Sequence, residues 1–281
     1  MIQLKAHAKI NLTLDVLARL DDGYHRIESI KQQVGLHDKI SLGPLDDIKV
    51  ICSHPNITTK ENLVFKTALL LKNEFNVAEG AKITIEKNIP LAAGLAGGSS
   101  DAAATLVGLN KLWKLELDEQ ELTKLAAEIG MDVPFSVVGG SCFAEGKGTK
   151  LSRIELPEMH VLLINPGFEV STRTAYQSLD LSRTGKAMAT KKLLEVRNMG
   201  VREISKVMHN DFEAVVLGKH SILKEIKGKL MENNALNAIV SGSGPTVFGL
   251  FEDESTISKA YESLKETYPF VFMTKTVARK E

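Results

Sequence analysis

The stretch PLAAGLAGGSSDAAATL, residues 90–106, gathers groups suited to holding an anion. Gly94, Gly97 and Gly98 lack the Cβ that keeps an oxyanion away from a peptide N–H, and Ser99 and Ser100 add hydroxyls just where an alanine-rich helix is expected to begin. The free amides of a helix start, aided by the helix dipole, bind phosphate. Two common phosphate loops do not fit, because no lysine followed by Ser or Thr comes after the last glycine and no G-x-G-x-x-G is present. Two readings stay open: a glycine turn with a serine N-cap, and a different kind of phosphate cradle. Three glycines and two hydroxyls exceed what a cap requires. Asp101 complicates the second reading, since a carboxylate in the first turn repels a bare phosphate unless a cation, magnesium for instance, or the helix dipole offsets it.

The elements around this loop follow from hydrophobic period. Residues 5–16 alternate, with Ala6, Ala8, Ile10, Leu12, Leu14 and Val16 against Lys5, His7, Lys9, Asn11, Thr13 and Asp15, which predicts a half-buried strand. A turn at Asp21–Gly23 leads into further strands through about residue 53, a helix over 62–75, the strand AKITIEK and then the glycine loop. Helices are predicted over 99–114 and 118–129, the second capped by Asp118, with GMDVPF between them and the next strand reading as a helix-breaking turn. HVLLINP is a strand, and helical stretches follow near 171–180, 186–198 and 201–232, the last broken at Gly218. NAIVSGSGPTVFGLF reads as two strands joined by a glycine turn, before a helix over 254–267 and a closing strand. This is a two-domain α+β chain with a division near residue 155, giving 1–155 and 156–281.

Composition narrows the class. The 281 residues are 43% hydrophobic, enough for a substantial core, and 35 basic residues balance 35 acidic ones. A neutral chain lacks the basic field of a nucleic-acid binder, so any anion is gripped locally. Cys52 and Cys142 form neither a disulfide framework nor a zinc motif. Charged residues interrupt the start, and no run reaches the roughly 18 apolar residues of a membrane helix, so a cytoplasmic protein is expected, with no membrane partner.

PLAAGLAGGSSDAAATL is similar to the second motif of the galactokinase, homoserine, mevalonate and phosphomevalonate (GHMP) kinase superfamily. SGSGPTVFGLF resembles its third motif and AHAKINLTLDV its N-terminal one, all three in the family's order. AKINL, DDGYHRIES and the GGSSDAA form of the loop further resemble the members that phosphorylate a cytidine-diphosphate-linked methylerythritol in non-mevalonate isoprenoid synthesis. The resemblance implies a ribosomal-protein-S5-domain-2-like first domain that binds ATP and a ferredoxin-like second domain that binds substrate. It also implies ATP and Mg2+ as cofactors, a small-molecule substrate, and a monomer or weak homodimer. ATP phosphates would lie on Pro90, Leu91, Ala92, Ala93, Gly94, Leu95, Ala96, Gly97, Gly98, Ser99 and Ser100. Lys9 and Asp132 match the family's catalytic pair: the carboxylate accepts the proton of the attacking hydroxyl while the lysine neutralises the transferring phosphoryl. Asn11, on the Lys9 face, can hydrogen-bond the polyol. Tyr24 and His25 match the cytosine-binding pair, Tyr176 and Thr172 a second aromatic partner and a hydroxyl, and Ser241, Gly242, Ser243 and Gly244 the turn that supports the phosphate loop. No motif assigns the magnesium ligands.

Three positions depart from the family pattern: His7 stands for the usual proline before A-K-I-N, Met131 for a small residue before the aspartate, and GKGTK lacks the acidic residue that often follows G-x-G. None removes a catalytic group. Two other functions remain to be weighed, a kinase for a different alcohol such as mevalonate or homoserine and a nucleotide-binding regulator without catalysis. The GYH segment speaks against the first and the retention of Lys9 and Asp132 against the second.

Overall fold

Two strands far longer than average organise the chain in a computed structural model that describes residues 1–54 and 62–278. β1 (Ile2–Arg19) and β2 (His25–Leu45) are each long enough to belong to two compact units. One unit comprises residues 1–8, 36–91 and 96–139, and the other 9–35, 92–95 and 140–281. The units are thus interleaved in sequence and differ from a division at 155.

In the first unit β2 pairs antiparallel with β4 (Gly80–Glu86), which pairs parallel with β3 (Lys49–Cys52). Between β3 and β4 lies α1 (Leu63–Glu74), capped by Asn62, whose side chain accepts the Val64 N–H. α2 (Gly97–Leu112), α3 (Glu119–Ile129) and α4 (Val133–Val138) follow. Asp118 and Glu121 form a capping box that starts α3 as the acidic first turn predicts. Ile40, Leu42, Ile83 and Ile85 from the strands meet Val64, Leu71, Ala102, Ala103, Leu106 and Leu109 in one apolar cluster. The alanines of α2 let that helix lie close on the sheet. Gly108 marks the closest approach, where an added Cβ would come within 2.5 Å of a Leu42 methyl.

In the second unit β5 (Ser141–Gly146) pairs with the first half of β2 and with β6 (Lys150–Arg153). Beyond them come β7 (His160–Asn165), α5 (Thr172–Gln177), α6 (Ala189–Val196), α7 (Val201–Lys206), β8 (His209–Asn210), α8 (Glu213–Lys219) and α9 (Ser221–Glu232). β9 (Asn237–Val240), β10 (Val247–Phe251), α10 (Glu254–Leu264) and β11 (Phe270–Lys275) complete the unit. β7, α9, β9, β10, α10 and β11 make a β-α-β-β-α-β series, and their antiparallel strand order, β11-β7-β10-β9, is ferredoxin-like. Leu223, Ile226 and Leu230 of α9 and Ile257, Ala260 and Leu264 of α10 cover one face of this sheet.

Four local expectations change. β1 is buried on both faces from Ala8 to Val16, because its polar residues are hydrogen-bonded inside the protein instead of solvated. α2 starts at Gly97, two residues before Ser99, so neither serine is its N-cap. GMDVPF opens α4, with proline in its first turn, where the missing N–H costs nothing. The stretch 201–232 is three helices separated by β8 and by a break at His220, with Gly218 inside α8. Asn210 explains the first interruption: its side chain donates to the Val240 and Gly242 carbonyls and accepts the Phe212 N–H, which takes it out of helical geometry.

Candidate active site

Lys9 and Asn11 point from the same face of β1 and are 4% and 1% exposed. An ammonium at that depth needs acceptors close by. Lys9 Nζ donates to Asn11 Oδ1 at 2.6 Å and to the Gly94 carbonyl at 3.1 Å. The Lys9 backbone N–H donates to the Leu95 carbonyl at 3.0 Å, so main chain and side chain both fasten the middle of the glycine loop to this strand.

The SGSG turn meets the same carbonyl. Ser241 Oγ donates to Gly94 O at 3.0 Å, and the Thr246 N–H donates to Ala93 O at 3.3 Å. Gly94 has φ +76°, and an added Cβ would lie on the Ser241 carbonyl oxygen, so only glycine fits there. The Gly242 carbonyl accepts from Asn210 Nδ2 at 2.7 Å, and a Cβ added at Gly242 would lie 3.2 Å from Gly94 O and 3.3 Å from Lys9 Nζ. The structure therefore brings together Lys9, Asn11, Gly94, Ser241 and Gly242. Ser243 is nearly buried, and its Oγ shares a hydrogen bond with Thr172 Oγ1 at 2.9 Å at the start of α5. Gly244 closes the turn by donating its N–H to Ser241 O.

The rest of the loop lies in the first unit with α2. Ala96 adopts φ 58° at the N-cap position and its own side chain makes no cap hydrogen bond. The first-turn amides of Gly97, Gly98 and Ser99 lack intrahelical acceptors, and Gly98 is exposed, with no Cβ to obstruct an approaching group. Ser99 is half-buried, whereas Ser100 is buried, with its Oγ donating to the His7 carbonyl at 2.5 Å and lying 3.3 Å from Ser136 Oγ. Ser100 thus joins α2 to β1 and α4. Pro90 and Leu91 are half-buried and Ala92 is exposed.

A residue that sequence reading did not single out resolves the Asp101 problem. Lys87, at the end of β4, forms ion pairs with Asp38 and, at 2.8 Å, with Asp101, and all three side chains are almost fully buried. Asp38 also accepts the Asn88 and Ile89 N–H groups, which fixes the chain as it enters the loop. Burial works to discharge Lys87, but the charges of Asp101 and Asp38 outweigh it and hold its pKa above the ordinary lysine value. Two carboxylates share this one ammonium, and Asp101 Oδ1 has no hydrogen-bond partner among the described residues. Asp101 is consequently pushed up to about 7, chiefly by burial and against the pull of Lys87. The offsetting cation is part of the protein.

This arrangement sets a pH dependence. Folded Asp101 keeps its proton up to about pH 7, against 3.8 when unperturbed, so between those values the folded state binds the additional proton and stability falls as pH rises. Asp101→Asn is expected to remove that slope, gaining on the wild type by on the order of 1–3 kcal/mol at pH 8 relative to pH 5. Thermal denaturation of both proteins across that range checks it; parallel curves would mean that Asp101 stays ionised throughout.

Asp132 occupies the N-cap position of α4, half-buried, and its carbonyl accepts both the N–H and the Oγ of Ser136 at 3.2 Å. It belongs to the first unit and Lys9 to the second. Tyr24 follows the Asp21–Gly23 turn with 48% of its surface exposed, and Lys147 Nζ lies 4.8 Å from its ring centroid while pairing with Asp22. His25 stacks on Tyr176 at 4.7 Å, and Tyr176 packs edge-on against Phe212 at 4.7 Å. One face of Tyr176 is therefore occupied by His25. Burial, then the charge of Arg19, lowers the His25 pKa and favours a neutral ring with one acceptor nitrogen.

Asp15, His209 and Asp211 bring potential metal-ligand atoms within 4.8 Å of one another. Their hydrogen bonds already serve the fold. Asp15 accepts the Ala189 and Thr190 N–H groups, Asp211 Oδ2 accepts those of Val16 and Gly185, and Asp211 Oδ1 meets His209 Nε2 at 2.9 Å. The bond to Asp211 raises the His209 pKa, so the pair fastens β8 to β1 as an ion pair in its protonated form.

Comparison with known proteins gives this geometry a context. Models of the GHMP kinases N terminal domain and the GHMP kinases C terminal match residues 62–140 and 191–269. The 4-diphosphocytidyl-2-C-methyl-D-erythritol kinase of Caldanaerobacter subterraneus subsp. tengcongensis is 43% identical over 278 residues, covering 98% of this chain and 97% of the relative. That of Clostridioides difficile is 44% identical over 278 residues, covering 97% and 94%. A crystal structure of 4-(cytidine 5'-diphospho)-2C-methyl-D-erythritol kinase matches with a TM-score of 0.87 at 30% identity, over 99% of this chain and 100% of that one. An uncapped glycine-loop helix and a lysine held against the loop's carbonyl thus occur on a chain that belongs, along nearly its whole length, to the 4-diphosphocytidyl-2-C-methyl-D-erythritol kinase family of GHMP kinases.

Proposed function

We infer that this protein transfers the γ-phosphoryl group of ATP to the 2-hydroxyl of 4-diphosphocytidyl-2-C-methyl-D-erythritol, a step of non-mevalonate isoprenoid synthesis. The observation that carries this reading is the position of Lys9, whose ammonium is held against the Gly94 carbonyl of the glycine loop. There it neutralises charge that develops on a phosphoryl group seated on that loop. The exposed, uncapped start of α2 suits the phosphates, with Gly97, Gly98 and Ser99 donating amides. Asp132 accepts the proton of the attacking hydroxyl. Asn11 and Thr172 hydrogen-bond the polyol, the exposed Tyr24 ring stacks on cytosine, and His25 reads its edge with Tyr176 behind it. Magnesium, carried with the phosphates, supplies charge neutralisation. The glycine loop holds the nucleotide, and Thr172 and Tyr176, after residue 155, join Asn11, Tyr24 and His25 on the substrate side. The reading includes a cytoplasmic monomer or weak homodimer acting on a small molecule without nucleic acid, and no helix among the described residues is long and apolar enough to cross a membrane.

ADP release with MgATP tests this against the cytidine-linked erythritol, mevalonate and homoserine in parallel. Turnover with the first alone is expected. Turnover with another alcohol instead would reassign the acceptor, and none with any alcohol would favour a nucleotide-binding regulator.

A further inference from the structure

We propose that Ser29 is a positioning residue for phosphoryl transfer, its hydroxyl fixing which end of the Asn11 amide faces the Lys9 ammonium. This rests on the reading of Lys9 given above. Ser29 lies on β2, fully buried. Its Oγ donates to the Thr13 carbonyl at 2.6 Å and accepts from Asn11 Nδ2 at 2.8 Å. A hydroxyl carries a single proton, and a carbonyl can only accept. With that proton committed to Thr13, Ser29 offers Asn11 a lone pair, which only the NH2 end of the amide can use. Oδ1 is therefore turned toward Lys9 Nζ, 2.6 Å away. The reversed amide would set an N–H against the ammonium and a carbonyl oxygen against a lone pair, losing two buried hydrogen bonds at once.

The anchor of this relay is itself fixed. Thr13 Oγ1 accepts the Ile30 N–H at 3.0 Å and shares a bond with Thr190 Oγ1 at 2.8 Å, so the segment presenting the Thr13 carbonyl is pinned between β2 and α6. Hydrogen-bond direction runs one way from Lys9 through Asn11 and Ser29 to the Thr13 carbonyl. Asn11 can offer the polyol only the second proton of Nδ2 or the second lone pair of Oδ1, in an orientation that Ser29 sets.

Ser29→Ala frees the amide to rotate. Its kcat is expected to fall about 10-fold, with KM for ATP changed less than about 2-fold, because the phosphate cradle is untouched. Ser29→Thr keeps the hydroxyl and should recover kcat to within about 3-fold of wild type. The decisive measurement is the cycle with Asn11→Ala: if Ser29 acts through Asn11, adding Ser29→Ala to Asn11→Ala changes kcat by less than about 2-fold. Equal losses from Ser29→Ala in both backgrounds would overturn the proposal in favour of a general packing role, whether or not the threonine variant folds. Wild-type kcat for Ser29→Ala beside an inactive Lys9→Ala would overturn it while leaving the functional reading intact. Wild-type kcat for Lys9→Ala would remove that reading itself.

Discussion

Asp132→Asn is expected to lower kcat for the cytidine-linked substrate by about 10³-fold, while KM for ATP moves only a few-fold, because the amide cannot take the proton that the 2-hydroxyl must lose. Lys9→Ala should cost about 10²–10³-fold through lost neutralisation of the transferring phosphoryl. Lys9 additionally serves the fold, since its Nζ satisfies both Asn11 Oδ1 and the Gly94 carbonyl. Its removal should therefore lower Tm as well as kcat. Steady-state kinetics and thermal denaturation on the same preparations separate the two effects. An Asp132→Asn enzyme within about 3-fold of wild-type kcat would remove the base assignment but not the substrate.

The second large effect belongs to Gly94. Alanine there must hold φ near +76° with its Cβ on the Ser241 carbonyl oxygen, a backbone atom that no side-chain rotation can clear. Gly94→Ala is expected to cost about 3–5 kcal/mol or prevent folding, a Tm drop of roughly 10 °C or more for a chain of this size. Ser241→Ala is the control. It deletes a side-chain donor to Gly94 O without a clash, at about 1 kcal/mol, and should keep the protein folded with a weaker grip on ATP. Wild-type Tm for Gly94→Ala would show that the loop and the SGSG turn do not approach as described.

Much of this was legible along the chain wherever the signal is local. The period-two run of β1, the Asp118 cap of α3 and the glycine-flanked strands β9 and β10 all rest on neighbours a few residues apart. The solvation of a strand's polar face is not local. Lys9, Asn11, Thr13 and Asp15 alternate as an exposed edge would, yet each is buried because partners as distant in sequence as Gly94 and Thr190 accept or donate its hydrogen bonds. Asp101 shows the same limit: a first-turn carboxylate can be seen to need a cation, but Lys87 and Asp38 carry no motif, and only the folded β4 and β2 deliver them. Helix α4 was obscured by its proline, which reads as a breaker until its place in the first turn is known. The stacking of His25 on Tyr176 joins two motif residues that sequence placed in separate roles.

The interleaving of the two units also bears on how the molecule is made. The chain passes between them after residues 8, 35, 91, 95 and 139, so neither unit is a continuous stretch that can mature as it leaves the ribosome. Thr13 of β1 finds its strand partner in His209, and the third-motif turn that grips Gly94 arrives later still. The strand bearing Lys9 must wait, incompletely paired, through most of synthesis. Folding dominated by such distant pairings is slow. Phosphate-binding competence should therefore emerge late, only after the Ser241 turn has been made, and a fragment ending near residue 155 would hold the glycine loop without the turn that shapes it.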